Sequence, residues 1–161
     1  MLVGTENAPK SHCGKDWATN TNPPYTTASA TPVIAEKPYI ALNTTDPTKF
    51  DLVVPQTAWN TRGQSYHSDE TVVGFENVFV ANSNNTAAEI NAKLATGLHL
   101  LLQPGIYNLT ESLLVNNTNQ VVLGIGMATL NCGGTVSCIT VGNVDGVRIS
   151  GVMFQADWGN P

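Results

Sequence analysis

A train of short apolar segments runs from Leu98 to Phe154, and it limits the possible folds more than any other feature of this sequence. The segments are three to six residues long, and Gly, Asn and Pro separate them. One helical pattern precedes them, and no second one interrupts them. A doubly wound α/β sheet is excluded because its parallel strands need crossover helices. The pattern leaves a sandwich, a barrel or a parallel solenoid.

The spacing of the strongest apolar triplets favours the solenoid. Leu100 and Val122 are 22 residues apart, and Val122 and Ile149 are 27 apart, as expected for stacked coils of variable length. Weaker triplets lie near Leu114, Leu130 and Ile139. The intervening turns are rich in Asn and Gly, which tolerate the left-handed backbone of tight corners. On pattern alone, a β-sandwich with irregular loops is the alternative.

The helical pattern has clear start and stop signals. Thr86 and Glu89 form a capping box, and Ile90 and Leu94 fall on one helix face. Gly97 can end the helix in the left-handed conformation. The sequence therefore predicts a short helix immediately before the first strands of the train.

Three motifs resemble the opening of pectate-lyase-like right-handed β-helices, a superfamily that includes fungal exo-β-1,3-glucanases and phage tailspike-type depolymerases. They are T-A-A-E-I-N-A-x-L from Thr86, L-L-L-Q-P-G-I-Y from Leu100 and V-L-G-I-G-x-x-T-L from Val122. The resemblance extends over about residues 22–155. It implies an all-β fold, a right-handed parallel β-helix whose N-terminal end is capped by the helix. It does not choose a function, since the superfamily holds lyases, hydrolases, epimerases and adhesins.

The chain divides by pattern into two parts. Residues 1–76 read as an extended lead-in that packs on the solenoid, with a hairpin formed by residues 39–42 and 50–54. Residues 77–161 read as the capping helix and first coils of a longer, incomplete β-helix. We expect the last coil to expose Val152 and Phe154, and to need self-association or further C-terminal coils to cover that edge.

Charge and composition indicate the partners. Seven Lys and Arg against twelve Asp and Glu give a net charge of −5, and no basic run is present, so nucleic acid is not an expected partner. No apolar stretch is long enough for a membrane span. Four glycosylation sequons, at Asn43, Asn84, Asn108 and Asn116, favour a secreted, extracellular protein. Asn84 and Asn116 are the better acceptors by context.

The cysteines and histidines predict one disulfide and no metal site. Cys132 and Cys138 flank a short Gly-containing loop and can reach bridging distance, with two free buried thiols as the alternative. Cys13 has no partner left within the chain. The histidines do not combine with it into a metal-ligand pattern, so we expect neither metal nor cofactor.

Candidate catalytic acids are few. Glycoside hydrolysis needs two carboxyl groups about 5 to 10 Å apart. The coil region offers Glu111, Asp145 and Asp157, of which Asp157 beside Trp158 is the most site-like. A solvated loop end is the alternative reading of that pair. Trp59, in a polar segment, is a candidate for stacking on a sugar ring, or else an anchor for a surface loop.

Together these features predict a secreted, carbohydrate-active β-helix protein whose partner is a polysaccharide or cell-wall glycan. Arg148 is the only Arg or Lys after Lys93, so the coils lack the cations that uronate elimination needs, and a neutral glucan fits better. We expect a glycoside hydrolase with its catalytic coils beyond this segment. The alternative is a non-catalytic glycan-binding or filament-forming β-helix.

Overall fold

The computed structural model describes residues 1–11, 24–64, 69–133 and 136–156. Contacts divide the chain into two compact units, each built from two segments. The segments of the first unit are Met1–Glu36 and Pro55–Thr71, and those of the second are Lys37–Val54 and Val72–Pro161. Residues 37–54 therefore belong with the coils and not with the rest of the lead-in.

Among the described residues, strands dominate. In chain order they are β1 Leu2–Val3, β2 Thr27–Ala28, β3 Thr31–Ile34, β4 Tyr39–Leu42, β5 Phe50–Pro55, β6 Ala58–Thr61, β7 Glu70–Gly74, β8 Val78–Ala81, β9 His99–Leu102, β10 Ile106–Leu109, β11 Leu113–Val115, β12 Val121–Cys132, β13 Ile139–Val141 and β14 Arg148–Ala156. A 3-10 turn at Phe75–Asn77 precedes β8, and the helix α1 spans Ala87–Ala95. In the first unit, β1 pairs with β2 in parallel and β3 pairs with β6 antiparallel.

The second unit is a parallel β-helix with three faces. Face A consists of β8, β9 and the first parts of β12 and β14; face B consists of β10 and the second parts of β12 and β14; face C consists of β11 and β13. Val122 lies between Leu100 and Ile149 in register, so the predicted spacings of 22 and 27 residues are the coil repeats. All these pairings are parallel, which excludes the sandwich.

The weaker apolar triplets lie on two different faces. Leu130 is on face B, whereas Leu114 and Ile139 are on face C. One strand of the coils was not predicted: β8 joins face A before the helix, and α1 is the crossover between it and β9. Its short V-F-V-A sequence carries no periodic signal strong enough to reveal this.

Inward side chains of all three faces form the core of the coils. Tyr107, Leu113, Val122 and Leu130 are among its fully buried members. The Tyr107 hydroxyl lies 2.9 Å from both the Ala81 and Gln103 carbonyl oxygens, so this buried polar group is satisfied.

The outward side of face A is covered as well. There Leu101, Val121 and Leu123 pack with Leu52 of β5 and with Phe75. The predicted hairpin of β4 and β5 is present, and β7 extends it into a three-stranded sheet. Burial of both sides explains why residues 100–102 are all leucine, since a strand covered on two faces shows no alternation.

Helix α1 closes the N-terminal end of the coils. It has the predicted capping box between Thr86 and Glu89, and Ile90 and Leu94 are buried in the coil core. Gly97 follows the helix with a φ of 91°, the left-handed conformation that the sequence predicts.

Side-chain amides join the helix to the coils. Asn91 donates to the Ser112 carbonyl at 2.9 Å and accepts from the Leu114 N–H at 2.8 Å, so it bonds the edge of face C like a neighbouring strand. The buried Gln120 donates to the Leu94 and Leu98 carbonyls at 2.9 and 2.8 Å. The Leu94 carbonyl lies in the last turn of the helix, where it also accepts from the Asn117 Nδ2 at 2.9 Å, and Leu98 follows the helix.

Differences in coil length are confined to the corners. Three residues separate β10 from β11, whereas six separate β12 from β13. The Cys132–Cys138 disulfide that the sequence predicts spans the longer corner, with a Cα–Cα distance of 5.3 Å. In β14 the corner between faces A and B consists of Gly151 alone. Its φ is 70°, and a side chain at this position would collide with the Gly124 carbonyl.

At the last described coil, inward positions are less covered. Phe154 is aligned with the buried Leu130, yet 58% of its surface is exposed, and Val152 is half-buried. This agrees with the exposure expected for Phe154.

We predict that Gln120→Leu lowers the free energy of unfolding by about 1–3 kcal/mol, because leucine fits the volume but leaves the Leu98 carbonyl without its side-chain donor and takes one donor from the Leu94 carbonyl. Chemical denaturation of the chain measures this. Thr118→Ala, at an exposed position two residues away, is the control and should change little. Equal stability of both variants would contradict the capping role of Gln120.

Candidate functional site

Two of the three acids proposed from sequence lie within the described residues, and neither lines the groove described below. Glu111 is exposed in the corner between β10 and β11, and Asp145 is exposed in the corner between β13 and β14. Asp157 and Trp158 lie outside the described residues, as does Cys13. The structure therefore leaves the catalytic role of Asp157 a prediction.

Trp59 lies on a strand and not in a loop. It is on β6, opposite Val33 of β3, and its side chain is 67% exposed. An indole that anchors a segment is normally covered, so this exposure favours the stacking interpretation over the anchor, and both remain predictions. An exposed aromatic face remains suited to sugar stacking.

His99 is a structural residue of the coils. Its Nδ1 accepts a hydrogen bond of 3.0 Å from the Val121 N–H, a bond between successive coils of face A. Burial lowers the pKa of His99 below its ordinary value, because the charged imidazolium is poorly solvated there. Protonation of Nδ1 would break the bond. Among the described residues, no group of three or more His, Cys, Asp or Glu is arranged to hold a metal ion.

A groove of the second unit lies beside the hairpin. It has a volume of about 690 Å³. Its lining, called here the hairpin groove, consists of Asn43, Lys49, Phe50, Asp51, Val72, Gly74, Phe75 and Glu76. The groove thus combines two carboxylates, one amide and one ammonium group with two aromatic rings.

Asp51 and Asn43 form a fixed polar pair in the hairpin groove. Asp51 is only 6% exposed, and the Asn43 Nδ2 donates to its two carboxylate oxygens at 3.1 and 2.9 Å. The Asn43 Oδ1 in turn accepts from the Thr45 and Asp46 N–H groups at 2.9 and 2.8 Å. The turn of the hairpin therefore sets the orientation of the amide, and the amide sets that of the carboxylate.

Two rings form the apolar part of the groove. The Phe50 and Phe75 centroids are 6.0 Å apart and the rings are tilted by 47°, a favourable arrangement for an aromatic pair. Phe75 packs on the outward side of face A, whereas Phe50 is 49% exposed. The Glu76 carboxylate folds back over Gly74, in the space that a Cβ on residue 74 would occupy.

Sequence reasoning missed this groove. It read residues 50–54 only as a hairpin strand. A signal was present in F-D-L-V-V, because an Asp inside an apolar strand must find a partner if it is buried. The partner, Asn43, is eight residues earlier, across the hairpin turn, and could be found only with the register known.

The four sequons differ in accessibility. The side chains of Asn84, Asn108 and Asn116 are exposed, and the Asn108 Oδ1 accepts from the Asn131 Nδ2 at 2.8 Å. Asn108 is therefore not shielded by its strand. The Asn43 Nδ2, by contrast, is held by Asp51.

Comparison with known proteins gives consistent matches. The family model of the LAM55 pectate lyase-like domain matches residues 78–160. An exo-beta-1,3-glucanase of Streptomyces sp. (strain SirexAA-E / ActE) is 36% identical over 137 residues, which cover 83% of this chain and 22% of that enzyme.

Two solved structures share the fold. The structure of sacteLam55A from Streptomyces sp. SirexAA-E has a TM-score of 0.78 and 32% identity, covering 94% of this chain and 26% of that one. A variant of the same protein in complex with glucose has a TM-score of 0.79 and 33% identity, with the same coverage. The chain thus spans about a quarter of the length of these relatives. Among its described residues, no helix is long and apolar enough to cross a membrane.

We predict that acid destabilises the chain through His99. Its folded pKa lies below the ordinary value near 6.5, so the unfolded chain binds the proton first. This contribution is complete above pH ~6.5 and is lost as the pH falls toward the folded pKa, by at most about 1.4 kcal/mol per pH unit. His99→Gln should flatten the dependence of the unfolding free energy on pH in this pH range. An unchanged slope would show that other groups cause the pH dependence.

Proposed function

Because this chain belongs to the LAM55 pectate lyase-like domain family, we propose that it is part of a glycoside hydrolase acting on β-1,3-glucan. The observation that carries the proposal is the 36% identity to an exo-beta-1,3-glucanase over most of the chain. The scarcity of Arg and Lys in the coils supports a neutral glucan over a uronate polymer.

The proposal places the catalytic coils outside this segment. Hydrolysis needs a pair of carboxyl groups across the scissile bond. In the coils, the acids of the described residues that sequence singled out, Glu111 and Asp145, are exposed at corners. The coils here would then supply a rigid platform, and Asp157 remains the first acid to substitute within the segment.

We predict that the full-length protein releases glucose or short oligosaccharides from β-1,3-glucan and leaves α-1,3-glucan and polygalacturonate intact. Reducing-sugar assays with product chromatography measure this. Residues 1–161 alone should release nothing above background, and Asp157→Asn in the full-length protein tests whether that acid takes part. Binding of β-1,3-glucan without hydrolysis would favour the non-catalytic, glycan-binding alternative.

We also propose that the protein is secreted and glycosylated. The support is the four sequons together with the exposed side chains of Asn84 and Asn116. Glycan transfer needs a free amide nitrogen, so Asn43, which donates to Asp51, is the least suitable acceptor.

Peptide mapping of material from the native source should find glycan on Asn84 and Asn116, none on Asn43, and a Cys132–Cys138 linkage. Exposure of the first two amides and the bond of the third are the physical reasons. Unmodified Asn84 and Asn116 would remove the support for a secretory route, and a glycan on Asn43 would show that the Asp51 contact opens.

A further inference from the structure

We propose that the hairpin groove is an accessory binding site for a neutral glucan chain. The accessory site rests on the proposed function, because its ligand is the glucan that the proposed hydrolase would act on. It adds a second binding site for that polymer, separate from the catalytic acids.

The size and shape of the groove suit a sugar chain. At about 690 Å³ it lies within the range of small-molecule sites. Phe50 and Glu76 of its lining are exposed, so a ligand in the groove can reach them from solvent.

The rings of the groove suit the apolar faces of pyranose rings. A single exposed Phe is ordinary on a protein surface. Phe50, however, is held against Phe75, whose other side is packed on face A, so its exposed face is fixed in orientation. A pre-positioned ring loses little conformational entropy when a sugar stacks on it.

The polar groups suit the hydroxyl groups of a sugar. A carboxylate offers about four acceptor positions, and the exposed Glu76 presents them to hydroxyl donors in the groove. Asp51 is 6% exposed and held by Asn43, so it fixes the polar side of the groove, and Lys49, paired with Asp46 at 3.5 Å, adds a donor. Two carboxylates against one Lys disfavour a uronate and favour a neutral, hydroxyl-rich ligand.

The test compares long and short substrates with the full-length protein. Phe50→Ala should raise KM for long β-1,3-glucan about three- to tenfold and leave kcat unchanged, the size of an aromatic contact. The KM for a disaccharide or trisaccharide, too short to reach the groove and the catalytic coils together, should not change. Glu76→Gln, at an exposed position, is the second variant and should act in the same direction.

The matched control is Val141→Ala, which truncates a 44% exposed apolar residue on face C and should leave KM unchanged. Trp59→Ala tests the competing aromatic surface on β6. Loss of long-chain affinity in Trp59→Ala but not in Phe50→Ala would overturn the assignment of the groove, as would unchanged KM values in both groove variants.

A direct binding measurement separates this proposal from the proposed function. Retention of the protein on insoluble β-1,3-glucan does not need catalysis, and it should weaken in Phe50→Ala. If the protein hydrolyses none of the glucans and its retention still weakens in Phe50→Ala, only the proposed hydrolase activity is refuted. A protein that hydrolyses β-1,3-glucan and whose retention is unchanged by Phe50→Ala would refute only the groove.

Discussion

The second unit depends on how α1 covers the open end of a parallel β-helix. A stacked coil leaves an apolar core and unpaired backbone groups at its end. Ile90 and Leu94 cover the core, and burying side chains of this size contributes about 1.5–3 kcal/mol each. The amides of Asn91 and Gln120 satisfy the strand edge and the helix terminus. One helix of nine residues and one buried glutamine thus cover the apolar core and pair the backbone groups at this end of the coils.

The parts of this fold that sequence predicts are those with local or repeating causes. The capping box of Thr86 involves residues of a single helical turn. The coil repeat is visible in the sequence because Leu100, Val122 and Ile149 are stacked in register. The hairpin of β4 and β5 follows from its Pro- and Asn-containing turn. β8 was not predicted, because four residues are too few to show a periodic apolar pattern and because its partner β9 follows only after the whole helix.

The hairpin groove has no such local cause. Phe50 and Phe75 are distant in sequence, and only the packing of the hairpin on face A brings their rings to 6.0 Å. Trp59 shows the opposite error, since its aromatic, polar context suggested a loop, whereas β3 pairs with it in a strand. Contacts between side chains that meet only through tertiary packing can be identified in the sequence only once the structure is known. Asp157 and Trp158 remain hypotheses, because they lie outside the described residues.

The unequal corners have a consequence for how such a protein can change. Register is carried by the faces, where Leu113 and Val115 remain opposite Ile139 and Val141 even though the corner before β13 holds three more residues than the one before β11. The disulfide joins the two ends of the longer corner at a Cα–Cα distance of 5.3 Å, and the strands on either side of it keep their register. Corners of this kind are permissive points for insertion: peptide segments can be gained or exchanged there, one coil at a time, while the cross-section of the solenoid stays constant.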